Sequence, residues 1–377
     1  MCPEQLHYRT INTEPPTMPF MFSLTLRLRS SNLIGLALLA ALALNANDVA
    51  NGQSSNLRTS SEPSTKAQQP NEQLFDSPPS KLSVMTWNVE WMFDHRKQGN
   101  SKLAAEQSAP SEEYWNWKLT SVAKVIAEEE PHIVALQEIE DGSTLGALRG
   151  VLKEMGQSYR YCFINGRDTF TGQDVGFLMK SGLVGYSRRE QSKVMYDSNN
   201  YRNISKHLIG EFRWDEVERP LTIINVHFYA RAEAEDRRVK QARLARQFLA
   251  DSLEEGHDCI LLGDTNSEHS PGTMVGDVKA IAENTPKMID LLTQSDQPNL
   301  PTHLVLDKQF DRIYVSSSLM EDGPGKDWVF QSIRVVTDGV INGKRDGEEH
   351  WDERLTMSTD ELDVSDHFPV IAEFELK

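Results

Sequence analysis

Apolar and polar positions alternate along residues 81–377 with two periods, and the switches between them outline the elements. In Lys81–Glu90 (KLSVMTWNVE) Leu82, Val84 and Thr86 fall on one side, the period-two pattern of a strand. A polar loop spans 95–110. Ser111 can then cap a helix in which Trp115, Leu119, Val122 and Ile126 recur at steps of four, three and four. Pro131 marks its end, and Ile133–Gln137 (IVALQ) is a short apolar strand. Ser143 is a further candidate cap, before Leu145, Leu148, Leu152 and Met155 at helical spacing. Segments 159–164, 174–180, 206–214 and 221–227 read as successive strands. A helix is expected over Glu235–Leu253, with Val239, Ala242, Ala245, Phe248 and Leu249 on one face. Cys259–Gly263 (CILLG) is a buried strand, and 310–315 and 368–375 are two more. Segment 265–301 is rich in turn residues, and 316–363 is polar and acidic without a legible period.

The order of these elements carries topology. Strand 82–90, helix 111–129 and strand 133–138 form one strand–helix–strand crossover; 221–227, 235–253 and 259–264 form a second. Between them strands follow at hairpin spacing. That mixture predicts an α/β fold of two mixed β-sheets packed face to face, with helices on the outer faces. No linker separates the crossovers, so one domain over 81–377 is expected.

The first 80 residues follow a different pattern. From Met21, a candidate true start, the chain has Arg27 and Arg29, an apolar run Leu33–Leu44, and small residues at Ala43, Ala46 and Ala50. This is the order of a secretory signal, and the run is short for a membrane span. Residues 1–50 are therefore expected to be a leader and 51–80, rich in Ser, Pro, Gln and Asn, a disordered linker. A secreted or periplasmic location follows; the alternative is an uncleaved signal that tethers the chain to a membrane. Cys162 and Cys259 sit in apolar runs and read as small buried hydrophobes, not a disulfide framework. A formal net charge of −17 argues against a broad polyanion-binding surface. A phosphate substrate stays compatible with it, because a bound metal can dominate the local field.

Five strands carry polar residues at one end: Asn88 and Glu90 on the first, Gln137 and Glu138 on the second, Asn225 and His227, then Asp264 and Asn266, and finally Ser365-Asp366-His367. Parallel crossover strands bring their carboxyl ends to one rim, so Glu138, His227 and Asp264 can converge. Glu138 and Asp366 suit magnesium, a hard ion that prefers oxygen ligands, with Asn88 as a further oxygen donor or a supporting group. Asp264 suits the orientation of water, and Asn266 a hydrogen bond to a phosphoryl oxygen. His227 and His367 suit proton transfer or phosphate contact, and Asp311 can hold one imidazole in its reactive tautomer. Taken singly, each is an ordinary strand end or turn; the ordered set is what points to a site.

TWNVE, ALQEIED, INVHF, LLGDTNSE, FDRIYVSS and SDHFPVIAEF, in this order, resemble the motifs of the endonuclease/exonuclease/phosphatase superfamily, which includes DNase I-like nucleases. The resemblance covers about Lys81–Lys377. It implies a four-layered α/β sandwich with a magnesium-dependent hydrolytic site between the sheets, manganese being the alternative ion. It places Asn88, Glu138 and Asp366 at the metal, Asp264 beside the attacking water, Asn266 on the phosphate, and Asp311 behind the terminal His367. His227 matches a histidine of the DNase I-like and sphingomyelinase-like branches, where abasic-site endonucleases typically have tyrosine. The inositol polyphosphate 5-phosphatase signatures are absent.

The expected activity is that of a nuclease-like phosphodiesterase. The alternatives are a sphingomyelinase-like phospholipid hydrolase, a small-phosphomonoester hydrolase, and a non-catalytic binding module of the same fold. Nucleic acid is the favoured partner, and no obligate protein partner is evident. Arg231, Arg237, Arg238, Lys240, Arg243 and Arg246 could follow a phosphate backbone, but solvated helix cations explain them more simply. Trp91, Met92 and Phe93 could face a membrane or a core. Asp174 could support the site from a neighbouring strand. Specificity is expected in loops 95–110, 267–300 and 316–363.

Overall fold

The computed structural model describes residues 75–190, 204–347 and 349–377. The expected leader and residues 51–74 of the expected linker lie outside the described residues. Of that linker, Phe75 and Asp76 are tied to the domain: Asp76 bridges to Trp214, and its carboxylate accepts from Gly182 N at 2.8 Å.

The two expected mixed sheets are present. The first contains β1 (Lys81–Met92), β2 (Ile133–Ile139), β3 (Arg160–Phe163), β4 (Asp174–Met179), β11 (Trp328–Val335) and β12 (Val370–Leu376), in the order β11-β12-β1-β2-β4-β3. The second contains β5 (Leu183–Ser187), β6 (Lys206–Phe212), β7 (Leu221–His227), β8 (Asp258–Asp264), β9 (Met288–Asp290) and β10 (Asp311–Ser316), in the order β5-β6-β7-β8-β10-β9. Within each sheet one crossover pair is parallel, β1 with β2 and β7 with β8, and the other neighbours run antiparallel.

Strand periodicity sorts side chains into three cores. Leu82 and Val84 of β1 point between the sheets, meeting Phe177, Phe212, Ile260 and Ile313. Met85, Trp87 and Val89 point the other way, onto α2 (Glu112–Glu129) and α3 (Gly142–Glu154). On the far side Ile224, Val226 and Leu261 pack under α4 (Glu235–Phe248) and α6 (Gly276–Ala282). The result is four layers. The remaining α-helices among the described residues are the short α1 (Lys102–Gln107), α5 (Ala250–Glu254) and α7 (His350–Glu353). Among the described residues no helix is long and apolar enough to cross a membrane.

Several local expectations change. Ser111 does cap α2, accepting from Tyr114 N. The cap of α3 is Asp141 rather than Ser143; its carboxylate accepts from Ser143 N and Thr144 N, and a charged acceptor suits the positive end of the helix. The helix expected over 235–253 is interrupted at Leu249. The turn-rich and acidic segments hold α6, β9, β11 and α7, too short or too irregular to announce themselves by period. Cys162 and Cys259 are buried and free.

A candidate metal and phosphate site at the strand ends

The carboxyl ends of the parallel pairs meet at one rim. Beneath it, Gln137 Nε2 donates to Asn225 Oδ1 at 2.7 Å, and Asn225 Nδ2 donates to Leu136 O and Gly176 O at 3.0 Å. These buried amides tie the sheets together with their polar groups satisfied, which fixes the floor of the site.

At the rim the backbone departs from regular strand. Pairing shifts between Asn88 and Met92 and between Gln137 and Ile139, and Glu90, Trp91 and Glu138 have φ of 47°, 44° and 60°. Such irregularities re-aim side chains at strand ends, and left-handed non-glycine residues cluster at working sites. Gly263 has φ 133°, and a Cβ there would lie 1.9 Å from Val226 O. Only glycine allows β7 and β8 to approach closely enough to bring His227 level with Asp264.

Asn88 stands at the centre. Its Nδ2 lies 3.1 Å from Glu138 Oε1, 2.9 Å from Asp264 Oδ2 and 3.4 Å from His367 Nε2. Its Oδ1 is taken by Glu90 N at 3.0 Å. Asn88 therefore meets the centre as a hydrogen-bond donor, whereas a metal ligand would present its oxygen. Asp264 Oδ1 accepts from Asn266 N, and the Asn266 amide donates to Phe228 O at 3.2 Å. Asp311 Oδ2 lies 2.7 Å from His367 Nδ1, the arrangement expected of that pair. Ser365 Oγ donates to Asn88 O, and Trp87 Nε1 donates to His367 O. These bonds lock the last motif onto the end of β1.

The two histidines are in opposite states. Burial, with Lys206 and His367 nearby, holds His227 well below the ordinary imidazole range, so it is neutral. Its Nε2 sits 3.4 Å from Asp264 Oδ2. Burial also works against charge on His367, but Asp311, Asp366 and Asp264 outweigh it and hold the ring as imidazolium. Burial raises Glu138 to about 7, helped by Asp366, and raises Asp264 to about 6. Asp366 is raised by burial and by Glu90. Buried carboxylates this close are short of positive charge.

The donor chemistry fits a divalent ion. Glu138 and Asp366 supply the oxygens a hard cation prefers. His303, Asp366 and His367 also each offer one donor atom, all within 4.8 Å of one another, a His/Asp cluster capable of coordinating a divalent metal. Within it His367 Nδ1 is occupied by Asp311, and its Nε2 offers a lone pair only after the imidazolium has given up its proton. His303 Nδ1 accepts from Val305 N and Leu306 N, which leaves Nε2 to face Asp366 at 3.8 Å.

Sequence reasoning missed several residues here. Lys206 is buried at the start of β6, 2.8 Å from Gln173 Oε1 and 3.2 Å from Asp168 Oδ2. Trp351 Nε1 donates to Asp366 Oδ2 at 2.9 Å. Glu90 Oε1 lies 2.9 Å from His350 Nε2 and 3.2 Å from Arg354 Nε, and Glu90 Oε2 lies 4.0 Å from Lys118 Nζ. The signal available for Lys206 was its place at the first position of a strand. His303, His350 and Trp351 lie in segments without period. Asp174 accepts from Gly166 N at 2.8 Å and anchors that loop. Of the arginine group, Arg238 and Arg246 are buried, contrary to a solvated face. Arg238 bonds Asp277 and the carbonyls of Arg231 and Ala232; Arg246 Nη2 bonds the carbonyls of Asn284 and Pro286. Met92 and Phe93 are core, while Trp91 lines the cleft beside Glu138.

Solved structures of similar fold include D. rerio TDP2 complexed with single strand DNA product, at 16% identity and TM-score 0.51, over 79% of this chain and 100% of that one. An endonuclease/exonuclease/phosphatase from Bacteroides vulgatus matches at 16% and 0.52, with the same coverages. The human Nocturnin catalytic domain with bound sulfate matches at 15% and 0.51, over 79% and 94%. No curated protein matches the sequence. The model of the "Endonuclease/Exonuclease/phosphatase family" matches residues 85–367, from β1 to the terminal histidine, and the chain belongs to that family.

Proposed function

We propose that the chain is an exported, divalent-metal-dependent phosphoesterase, with a nuclease-like phosphodiester as its favoured substrate. The observation that carries the reading is the convergence on one amide: Asn88 Nδ2 reaches Glu138, Asp264 and His367 at 2.9–3.4 Å, although His367 is 279 positions away. Export rests on the sequence of residues 21–50. The TDP2 structure with its DNA product makes a nucleic-acid-like diester the first substrate to try.

Glu138 and Asp366 would hold magnesium, with manganese as the alternative. The ion supplies charge that stabilises the phosphoryl oxygens. Asp264, held near 6 by burial, orients water and accepts its proton as the water oxygen bonds to phosphorus. The ester P–O bond breaks as this bond forms, and the leaving oxygen takes a proton. His367, an imidazolium steadied by Asp311, would donate it. Asn266 lies beside Asp264, and a phosphoryl oxygen would take its amide from Phe228 O. Lys206 adds a buried cation on the His227 side.

The test is hydrolysis with magnesium or manganese of plasmid DNA, RNA, sphingomyelin, a bis-aryl phosphodiester and a phosphomonoester. Asp264→Ala and His367→Ala should each lower the rate by about 10²-fold or more. No turnover of any ester overturns the enzyme reading; full activity in both variants overturns the site.

A further inference from the structure

Beyond Glu138 and His227 the site opens into a cleft of about 540 Å³. That volume lies within the ~300–1,000 Å³ typical of small-molecule sites. The cleft has aromatic surface from Trp91, Phe170 and Tyr229 and cations from Lys206, Arg231 and Arg237.

Phe170 is 72% exposed, the most exposed large hydrophobic side chain among the described residues. Its backbone is nevertheless held on both sides. Asp168 accepts from Phe170 N at 2.9 Å and Thr171 N at 3.2 Å, and also from the Thr171 hydroxyl. Ser101 Oγ donates to Phe170 O at 2.8 Å. Asp168 is in turn paired with Lys206. Folding has thus fixed a loop whose apolar ring it leaves in water, at the mouth of a cleft that begins at the phosphate site. A ring held this way is a platform for something planar.

Tyr229 provides a second prepared surface. The Arg237 guanidinium lies 3.6 Å from its ring centroid, and Tyr229 N donates to Gln241 Oε1 at 2.9 Å. Next to it Arg231 is kept at φ 92°, a conformation that persists only where the surroundings over-determine it. The buried Arg238 does this, its Nη1 donating to Arg231 O at 2.6 Å while its Nε bonds Asp277. The cations favour an anionic ligand over a neutral arene.

Resting on the phosphoesterase reading, we propose that this cleft seats a planar aromatic ring carried by the phosphate ester, packed against Phe170 and Tyr229. The ring could be a nucleobase or a simple arene; both present a π-face, and ligands can separate them.

The full-length chain carrying Asp264→Asn, with magnesium present, is titrated calorimetrically with adenosine 5′-monophosphate, phenyl phosphate, ribose 5-phosphate and adenosine. Adenosine 5′-monophosphate or phenyl phosphate should bind about tenfold or more tightly than ribose 5-phosphate, the scale of one stacked ring. Whichever of the two binds more tightly identifies the ring. Adenosine should bind more weakly than its monophosphate. Adding Phe170→Ala or Tyr229→Leu should remove most of the ring preference. Equal affinity with and without a ring, or a preference that survives both substitutions, overturns the proposal. Failure of the underlying reading looks different: the chain with Asp264 intact then hydrolyses no ester at all.

Discussion

Gly263→Ala tests whether the site depends on the spacing of β7 and β8. The added Cβ would sit 1.9 Å from Val226 O and 2.9 Å from Val226 N and C, all backbone atoms that no rotamer can move aside. Relief requires the strands to part by more than about 1 Å, since non-bonded heavy atoms rest about 3.5–4.0 Å apart. Residue 263 must also keep φ near 133°, where side chains are strained by about 1–3 kcal/mol. Overpacking of a well-filled interior adds about 1–3 kcal/mol. Together these predict a loss of about 4 kcal/mol, a large share of the ~5–15 kcal/mol that holds a domain. The same displacement separates His227 from Asp264, paired across these strands. A misplacement near 1 Å is worth about 10²-fold in rate. Urea unfolding measures the first loss, and hydrolysis of the best ester in the panel the second. Gly156→Ala is the control: φ there is 85°, but nothing lies within 4 Å of the added carbon, so it reports backbone strain alone. If Gly263→Ala loses no more stability than the control, or keeps the wild-type rate, the spacing argument is refuted.

Two further predictions concern protons. In Asp311→Asn, His367 loses its strongest supporting charge and its pKa should fall, so the alkaline limb of the pH–rate profile should move to lower pH; an unmoved limb would mean that His367 is not the proton donor. At His350 burial opposes charge, but Glu90 outweighs it and lifts the pKa from 6.5 to about 9. At ~1.4 kcal/mol per pH unit this contributes on the order of 3 kcal/mol, fully present below pH 6.5 and lost as pH rises through 9. The stability gap between wild type and His350→Gln should therefore be wide at pH 6 and narrow by pH 10 in urea titrations, and a gap that grows with pH contradicts the sign.

The sequence made the strand ends legible because each functional residue borders an apolar run whose period is unmistakable. Asn88, Glu138, His227 and Asp264 sit at the carboxyl end of such a run and Asp366 just before one, and chain order supplied the crossovers. What it could not show is conformation at the ends themselves. The left-handed turns at Glu90, Trp91 and Glu138 come from bulges, which leave no compositional mark, and they decide which way each carboxylate points. The acidic segment 316–363 was unreadable for another reason. Its contribution to the site is made through ion pairs and indole or imidazole hydrogen bonds, as at His350 and Trp351, with no apolar stripe to announce them. Arg238 was misjudged because its burial depends on Asp277, 39 residues on, which helical periodicity cannot see.

The same rim holds two buried carboxylate centres, and comparing them shows what sets the candidate site apart. Glu90 is more deeply buried than Glu138, and burial alone would raise both. Around Glu90, however, Arg354, His350 and Lys118 hold the carboxylate well below its usual range. That centre is complete: its charges are matched within the protein, and a further cation would meet repulsion. Asp366 raises Glu138 and Glu90 raises Asp366, while the cations facing Glu138 are already engaged, Lys206 with Asp168 and His367 with Asp311 and Asp264. Positive charge is missing there, and protons supply it up to about pH 7 at Glu138. A divalent ion can take over that role only by displacing them, so its apparent affinity should weaken as pH falls below about 7. Local counter-charge, rather than burial, therefore distinguishes the raised carboxylates Glu138 and Asp366 from Glu90, which the fold has already neutralised.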